Sequence, residues 1–316
     1  MDPGNRKAVM AALIANAGIA VAKFVGYVFT GASSMLAEGV HSVADSGNQA
    51  LLLWGGAAAE REPTDQHPFG HGRERYFWAF VVSLVIFALG SVFAIYEGVH
   101  KLGSTDPIVS PHVAVIILSV GIVLEGWSFR TAVKEAQKQK RNLSWSTFLR
   151  KTKNPELPVV LLEDLGALIG LVLALVGVSL AWVTGDPVFD ALGSIVIGIL
   201  LGLISFVLAW EMKSLLIGEA ATVDHRRLLE ESAASAPFVR RVIHMRTQHI
   251  GPEQLLVGAK VEFDGALAFE ALTEAIDGVE SAMRGSVPHE VIVYVEPDVY
   301  DAAHPDLGSN DGGAGH

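Results

Sequence analysis

The sequence predicts an α-helical membrane protein that ends in a small α+β domain. Three observations carry this. Of 316 residues, 51% are hydrophobic and only 18% charged, and the mean hydropathy is +0.40, too apolar for a soluble domain of this length. Six apolar runs are each long enough to cross a hydrocarbon core of ~30 Å. After Gly218 the long runs stop, and short segments that alternate apolar and polar residues take over.

The first run, 8–30, follows Arg6 and Lys7 and so resembles a secretory leader. It continues past residue 24 without a convincing cleavage site, and is read as the first membrane helix. The second, 33–58, follows after Thr30, Gly31, Ala32 and Ser33, a turn short enough to make an antiparallel hairpin. The third, fourth, fifth and sixth runs cover 76–100, 111–133, 158–183 and 188–217, the last two joined by Thr184, Gly185 and Asp186. Basic residues fix the orientation. Arg6 and Lys7 precede the first run, and Arg61, Arg73 and Arg75 follow the second. Arg130, Lys134, Lys138, Lys140, Arg141, Arg150, Lys151 and Lys153 surround the loop after the fourth, whereas the opposite loops offer little beyond Lys101. Both termini are therefore expected in the cytoplasm; in a bacterium the housing membrane would be the inner one.

Past residue 218, segment 224–234 reads as an amphipathic helix, 239–247 and 255–263 as strands split by Gly251-Pro252, 268–284 as a helix and 290–296 as a last strand. This αββαβ order predicts two helices covering one face of a three-stranded sheet. The expected division is a membrane domain over 1–217, an α+β domain over 218–300, and a tail over 301–316 whose Asp, Gly, Ala and Asn content predicts disorder.

Several classes of function drop out. There is no cysteine, so disulfides and thiolate metal chemistry are excluded, which argues against Cu(I) and for a divalent ion held by imidazole and carboxylate. The net charge is −11, with no basic surface of the kind that binds nucleic acid. Neither a GxxxxGK[ST] phosphate loop nor an HExxH zinc-protease signature is present. Neither an enzyme nor a resident cofactor is expected.

The most informative residues lie inside the second run. Glu38, His41, Asp45 and Asn48, spaced three, four and three apart, fall within roughly 80° on a helix. An ionisable group at bilayer depth costs about 2.5–3.5 kcal/mol on insertion scales, so the stripe calls for a function. His41 and Asp45 form an i, i+4 pair able to hold a divalent ion; the plainer alternative is a polar stripe that bonds neighbouring helices. The fifth run carries Glu163 and Asp164, two carboxylates about 100° apart on a helix, so that only one faces a given site. Asp164 is the favoured ligand, with Glu163 as ligand, supporting acceptor or proton carrier. Both could instead lie solvated at the interface, since the run begins at Leu157. Glu125 in the fourth run and Asn16 in the first are polar at plausible depth and could line a pore.

AEGVHSVADSGNQ, HPFGHGRER opening the third run, DPVFDALGSI opening the sixth and LLIGEAA closing it together resemble the cation diffusion facilitator family, of the zinc-transporter type. The LLED stretch and the long basic loop before it resemble the branch that includes the mitochondrial zinc-transporter-like proteins. The resemblance implies six membrane helices, a cytoplasmic ferredoxin-like domain, and a homodimer that exchanges a divalent metal, usually zinc, for protons. It also implies a transport site of two residues from the second span and two from the fifth, each pair four apart. His41 and Asp45 match the first pair and Asp164 the later member of the second, but the remaining position is Val160, which has no donor. The implied ligands are His41, Asp45 and Asp164, completed by water, Glu163 or another helix. Three ligands plus water suit zinc, while an oxygen-rich set leaves manganese, cobalt or iron open.

Asp65, His67 and His71 are candidates for a second ion on the loop after the second span, although the family's carboxylate usually sits where this chain has Thr64. In the last strand Tyr294 and Glu296 occupy the family's His and acidic positions, and His244 is one residue out of register, which points it to the other sheet face. Neither His244 nor His249 then completes a binuclear site, and the domain is expected to serve dimerisation. The implied activity is metal:proton antiport exporting metal from the cytoplasm, since a ligating imidazole must be neutral and metal binding therefore displaces a proton. The rival reading is a metal-binding membrane scaffold that does not transport.

Overall fold

The computed structural model describes residues 3–103, 108–140, 144–145, 147–148 and 152–300. The tail 301–316 and the side chain of Asn16 lie outside the described residues. The chain divides into two compact units, one of residues 1–58 and 75–213, the other of 59–74 and 214 onwards. The loop after the second helix thus belongs with the C-terminal unit, a grouping that sequence alone does not reveal.

The first unit is built from six helices: α1 Pro3–Thr30, α2 Ser33–Ala59, α3 Glu74–Leu102, α4 Pro111–Lys140, α5 Glu156–Thr184 and α6 Val188–Ile217. Helices α3 to α6 are each long and apolar enough to cross a membrane, α4 over Pro111–Lys134, and Ala17–Thr30 of α1 is a shorter apolar stretch. Helix α2 has 27 residues, a crossing length, but its apolar character is interrupted by the four polar residues of the stripe. Helix α3 runs through a π-helical segment, Ile86–Val92, in its middle.

Small residues bring these helices together, as expected where lipid provides no hydrophobic drive between them. A Cβ on Gly98 would meet the Ala191 carbonyl at 2.7 Å, and one on Gly198 the Ser91 carbonyl at 2.8 Å; only glycine allows α3 and α6 to lie so close. Met35, Ala94, Leu118, Leu171, Val178, Ile197 and Leu201 form the core between α2 and α6, while Val28, Phe29, Val123, Trp127 and Phe206 face outward. The start of α2 is held by a carboxylate from another helix. Asp190 on α6 accepts from the backbone N–H of Ser33 at 2.7 Å and of Ser34 at 3.3 Å, and from both hydroxyls. Negative charge at a helix N-terminus offsets its unpaired N–H groups, and this contact fixes the helix that carries the polar stripe.

The second unit contains α7 Val223–Ala234, β1 Val239–Gly251, β2 Gln254–Phe263, α8 Phe269–Ser286 and β3 Glu290–Pro297. The sheet is mixed, in the order β1-β2-β3. β1 and β2 form an antiparallel hairpin, and β2 and β3 are parallel, which requires the α8 crossover between them. Leu255, Val257, Ala259, Val261 and Phe263 of β2 alternate inward, joining Leu229 and Ala233 of α7 and Val279 and Met283 of α8. Both helices thus cover one face of the sheet, as the αββαβ pattern predicts.

Candidate functional site

On α2, Glu38, His41, Asp45 and Asn48 are all buried. His41 Nδ1 lies 3.3 Å from Asp45 Oδ1, yet the pair is not aligned as a hydrogen bond. Both His41 nitrogens, Asp45 Oδ1 and Asn48 Oδ1 are left without a hydrogen-bond partner. Buried polar atoms in that condition are rare and costly; here four are gathered on one helix face, as a cation's ligands would be.

Helix α5 presents Glu163 to this face. Asn48 Nδ2 donates to Glu163 Oε1 at 3.0 Å, and the Asp45 and Glu163 carboxyls adjoin. Asp164 turns away by the ~100° that separates adjacent helical residues. It accepts from Ser128 Oγ of α4 at 3.3 Å. The structure therefore brings together His41, Asp45, Asn48 and Glu163 and sets Asp164 beside α4, the reverse of the order in which the sequence ranks the two carboxylates. Glu125 on α4 lies within electrostatic range of Glu38, Asp45, Glu163 and Asp164. One participant is missed by the sequence reading altogether. Lys23 of α1 is buried and donates to Glu38 Oε2 at 3.0 Å and to Ser42 Oγ at 2.7 Å; its only signal in sequence is a lone lysine inside an apolar run.

The loop candidates divide. The His67 and His71 rings are neighbours, with centroids 4.7 Å apart, and the loop is shaped by Thr64, whose backbone N–H and hydroxyl bond His67. Asp65 is exposed. In the sheet, β1 slips register between Val242 and His244, so that His244 pairs with Lys260 while Met245 pairs with Ala259 in the core; His244 thus lies on the face away from the helices. Lys260 engages Glu296 at 3.2 Å, and Tyr294 is exposed. His249 is buried and meets His289 with ring centroids 5.3 Å apart, and His225 of α7 meets His289 at 4.8 Å. Burial and the neighbouring His225 lower the His289 pKa from its ordinary value. Among the described residues, no three His, Asp or Glu side chains already surround a common point at metal-binding distances. This holds for the α2–α5 constellation as well as for the C-terminal histidines.

Residues 9–217 match the cation efflux transmembrane domain. The chain belongs to the cation diffusion facilitator family. Members of this family are transporters of divalent cations, not enzymes. The chain is 34% identical over 276 residues, 87% of its length, to the proton-coupled zinc antiporter SLC30A9, mitochondrial, of Xenopus laevis, of which the match covers 49%. It is 31% identical over the same length to the human protein of that name, again covering 49%. Metal tolerance protein C4 of Arabidopsis thaliana is 29% identical over 85% of this chain and 59% of its own length. The chain spans about half the length of the mitochondrial relatives it matches. The likeness groups it, within that family, with the branch that includes these mitochondrial relatives.

Proposed function

We propose that the protein is a multi-pass antiporter that exchanges a divalent cation, zinc first among the candidates, for protons and exports it from the cytoplasm. The observation that carries this reading is the set of unpartnered polar atoms on His41, Asp45 and Asn48, buried in a helical membrane unit and faced by Glu163 from α5. His41, Asp45 and Glu163 bind the ion, and Asp164 serves as an acceptor on the α4 side. Glu163 supplies the carboxylate that Val160 cannot. A small adjustment of α2 against α5 brings the donors to one point, the kind of motion by which midplane sites open alternately to each side. Zinc takes imidazole and carboxylate at 2.0–2.2 Å, and its binding requires neutral His41. Metal binding from the cytoplasm therefore displaces a proton, and a proton arriving from the far side displaces the metal.

The names of the relatives support zinc and proton coupling. All six helices are taken to cross, with both termini on the cytoplasmic side. The C-terminal unit is taken as a ferredoxin-like dimerisation domain, and the His67–His71 loop as a place where an ion could pause. The test is zinc flux in proteoliposomes holding a zinc-sensitive dye under an imposed pH gradient. Flux that follows the proton gradient and is lost in Asp45→Ala is the expected result. Unchanged flux in Asp45→Ala and Glu163→Ala would remove these residues from the mechanism, and zinc binding without flux would favour a scaffold.

A further inference from the structure

Lys23 is 1% exposed, and its ammonium is held by Glu38 and Ser42. Glu38 stands one helical turn before His41, and Ser42 is the residue after it, so this ion pair borders the ion site. Stability is a poor explanation for it, because a buried ion pair can often be replaced by apolar residues of similar volume without loss. The second oxygen of Glu38, Oε1, is buried without a partner. It faces α5, where a Cβ on Gly170 would lie 2.5 Å from it. Gly170 follows Glu163 by seven residues, two turns along the same face. Glu38 thus touches the cation of α1 on one side and the helix of Glu163 on the other. Lys23 also acts electrostatically on His41, Asp45 and Glu125, and among the described residues no other cation is seen to act on these groups.

We propose that Lys23 is a tethered stand-in for the transported ion: its ammonium occupies Glu38, withholds that carboxylate from the ion, and so keeps the site weak enough to release its cargo. A transport site has to bind firmly enough to load and loosely enough to unload. In a low-dielectric interior one fixed charge changes that balance strongly. Removing Lys23 takes away a repulsive cation and frees Glu38 to attract. Removing Glu38 leaves the ammonium unpaired beside the ion. The two losses act in opposite directions and cancel when combined. This inference rests on the reading of His41, Asp45 and Glu163 as the ion site.

The experiment is zinc titration of the purified full chain in nanodiscs by calorimetry, with flux measured in proteoliposomes. Lys23→Met should bind at least about tenfold more tightly and turn over more slowly, and Glu38→Gln should bind at least about tenfold more weakly. The double variant Lys23→Met with Glu38→Gln should return to within roughly threefold of wild type, as charge cancellation requires. Lys23→Arg, which keeps the cation, should bind as wild type does. Unchanged or weaker binding by Lys23→Met overturns the proposal, as does a double variant shifted as far as either single one. If Lys23→Met does not fold, the double variant and Lys23→Arg decide, and loss of zinc binding in either overturns it. Wild-type binding that Asp45→Ala abolishes, together with a flat Lys23 series, sinks this inference alone. Wild type that binds no zinc sinks the ion site and with it the inference.

Discussion

At the residue scale, the structure separates two neighbouring carboxylates of which the sequence favours Asp164. Glu163 bonds Asn48 and adjoins Asp45, whereas Asp164 bonds Ser128. Glu163→Gln should therefore lower zinc affinity at least about tenfold, while Asp164→Asn, which keeps an acceptor for Ser128, should cost less. Equal losses in calorimetric titrations of the two variants would contradict this ranking. The stripe on α2 was legible because the cost of charge in lipid makes Glu38, His41, Asp45 and Asn48 conspicuous. Which carboxylate of α5 faces them was not, because adjacent residues differ only in helix rotation, and rotation is fixed by packing. Lys23 was equally hidden, since its partners Glu38 and Ser42 lie on another helix. In the C-terminal unit the gathering of His225, His249 and His289 was invisible for the same reason: α7, β1 and the turn before β3 supply the rings. The lowered pKa of His289 means that the folded state disfavours its protonation. Its contribution to stability is thus full above the ordinary imidazole value and is lost as pH falls below about 6.5. Hydrogen exchange in β3, corrected for intrinsic rates, should speed up at pH 5.5 relative to pH 7.5, and His289→Asn should flatten that dependence.

At the element scale, the placement of the stripe depends on how α2 begins. Asp190 satisfies the first N–H groups and both hydroxyls of Ser33 and Ser34, and it is fully buried. Hydrogen bonds to a charged group are worth about 1.5–3 kcal/mol each when buried, so Asp190→Ala should lower the thermal midpoint of the detergent-solubilised protein clearly. Asp190→Asn, which keeps one acceptor, should lower it less. A midpoint unchanged in Asp190→Ala would show that α2 is positioned by packing alone. The sequence places helices and strands well where periodicity is strong: β2 alternates inward at 255, 257, 259, 261 and 263 as its pattern requires. It does not reveal the π-helical segment of α3 at Ile86–Val92, because an i→i+5 turn changes no residue type. Nor does it reveal that β1 continues to Gly251, since its register slips blur the alternation.

At the scale of the whole molecule, the proposed activity depends on six crossings that place the loop after α2 and the C-terminal unit on one side of the membrane. The charge asymmetry behind that orientation is large. With six crossings Arg61, Arg73, Arg75 and the basic residues after α4 would share one side and little beyond Lys101 the other, the bias that normally faces the cytoplasm. Because the chain has no cysteine, single cysteines report sidedness without background. Gln66→Cys in the α2–α3 loop and Ala234→Cys at the end of α7 are at exposed positions, as is Val109→Cys between α3 and α4. In sealed inside-out vesicles a membrane-impermeant maleimide should label Gln66→Cys and Ala234→Cys, and should reach Val109→Cys only after the vesicles are opened. A failure of α3, or of one of α4 to α6, to cross would break this pattern in a readable way. If one of α3 to α6 lay along the surface, the number of crossings would change and Val109→Cys or Ala234→Cys would react on the wrong side. The α2–α5 site would then not be open to both compartments in turn, and a proton gradient could not drive an ion through it.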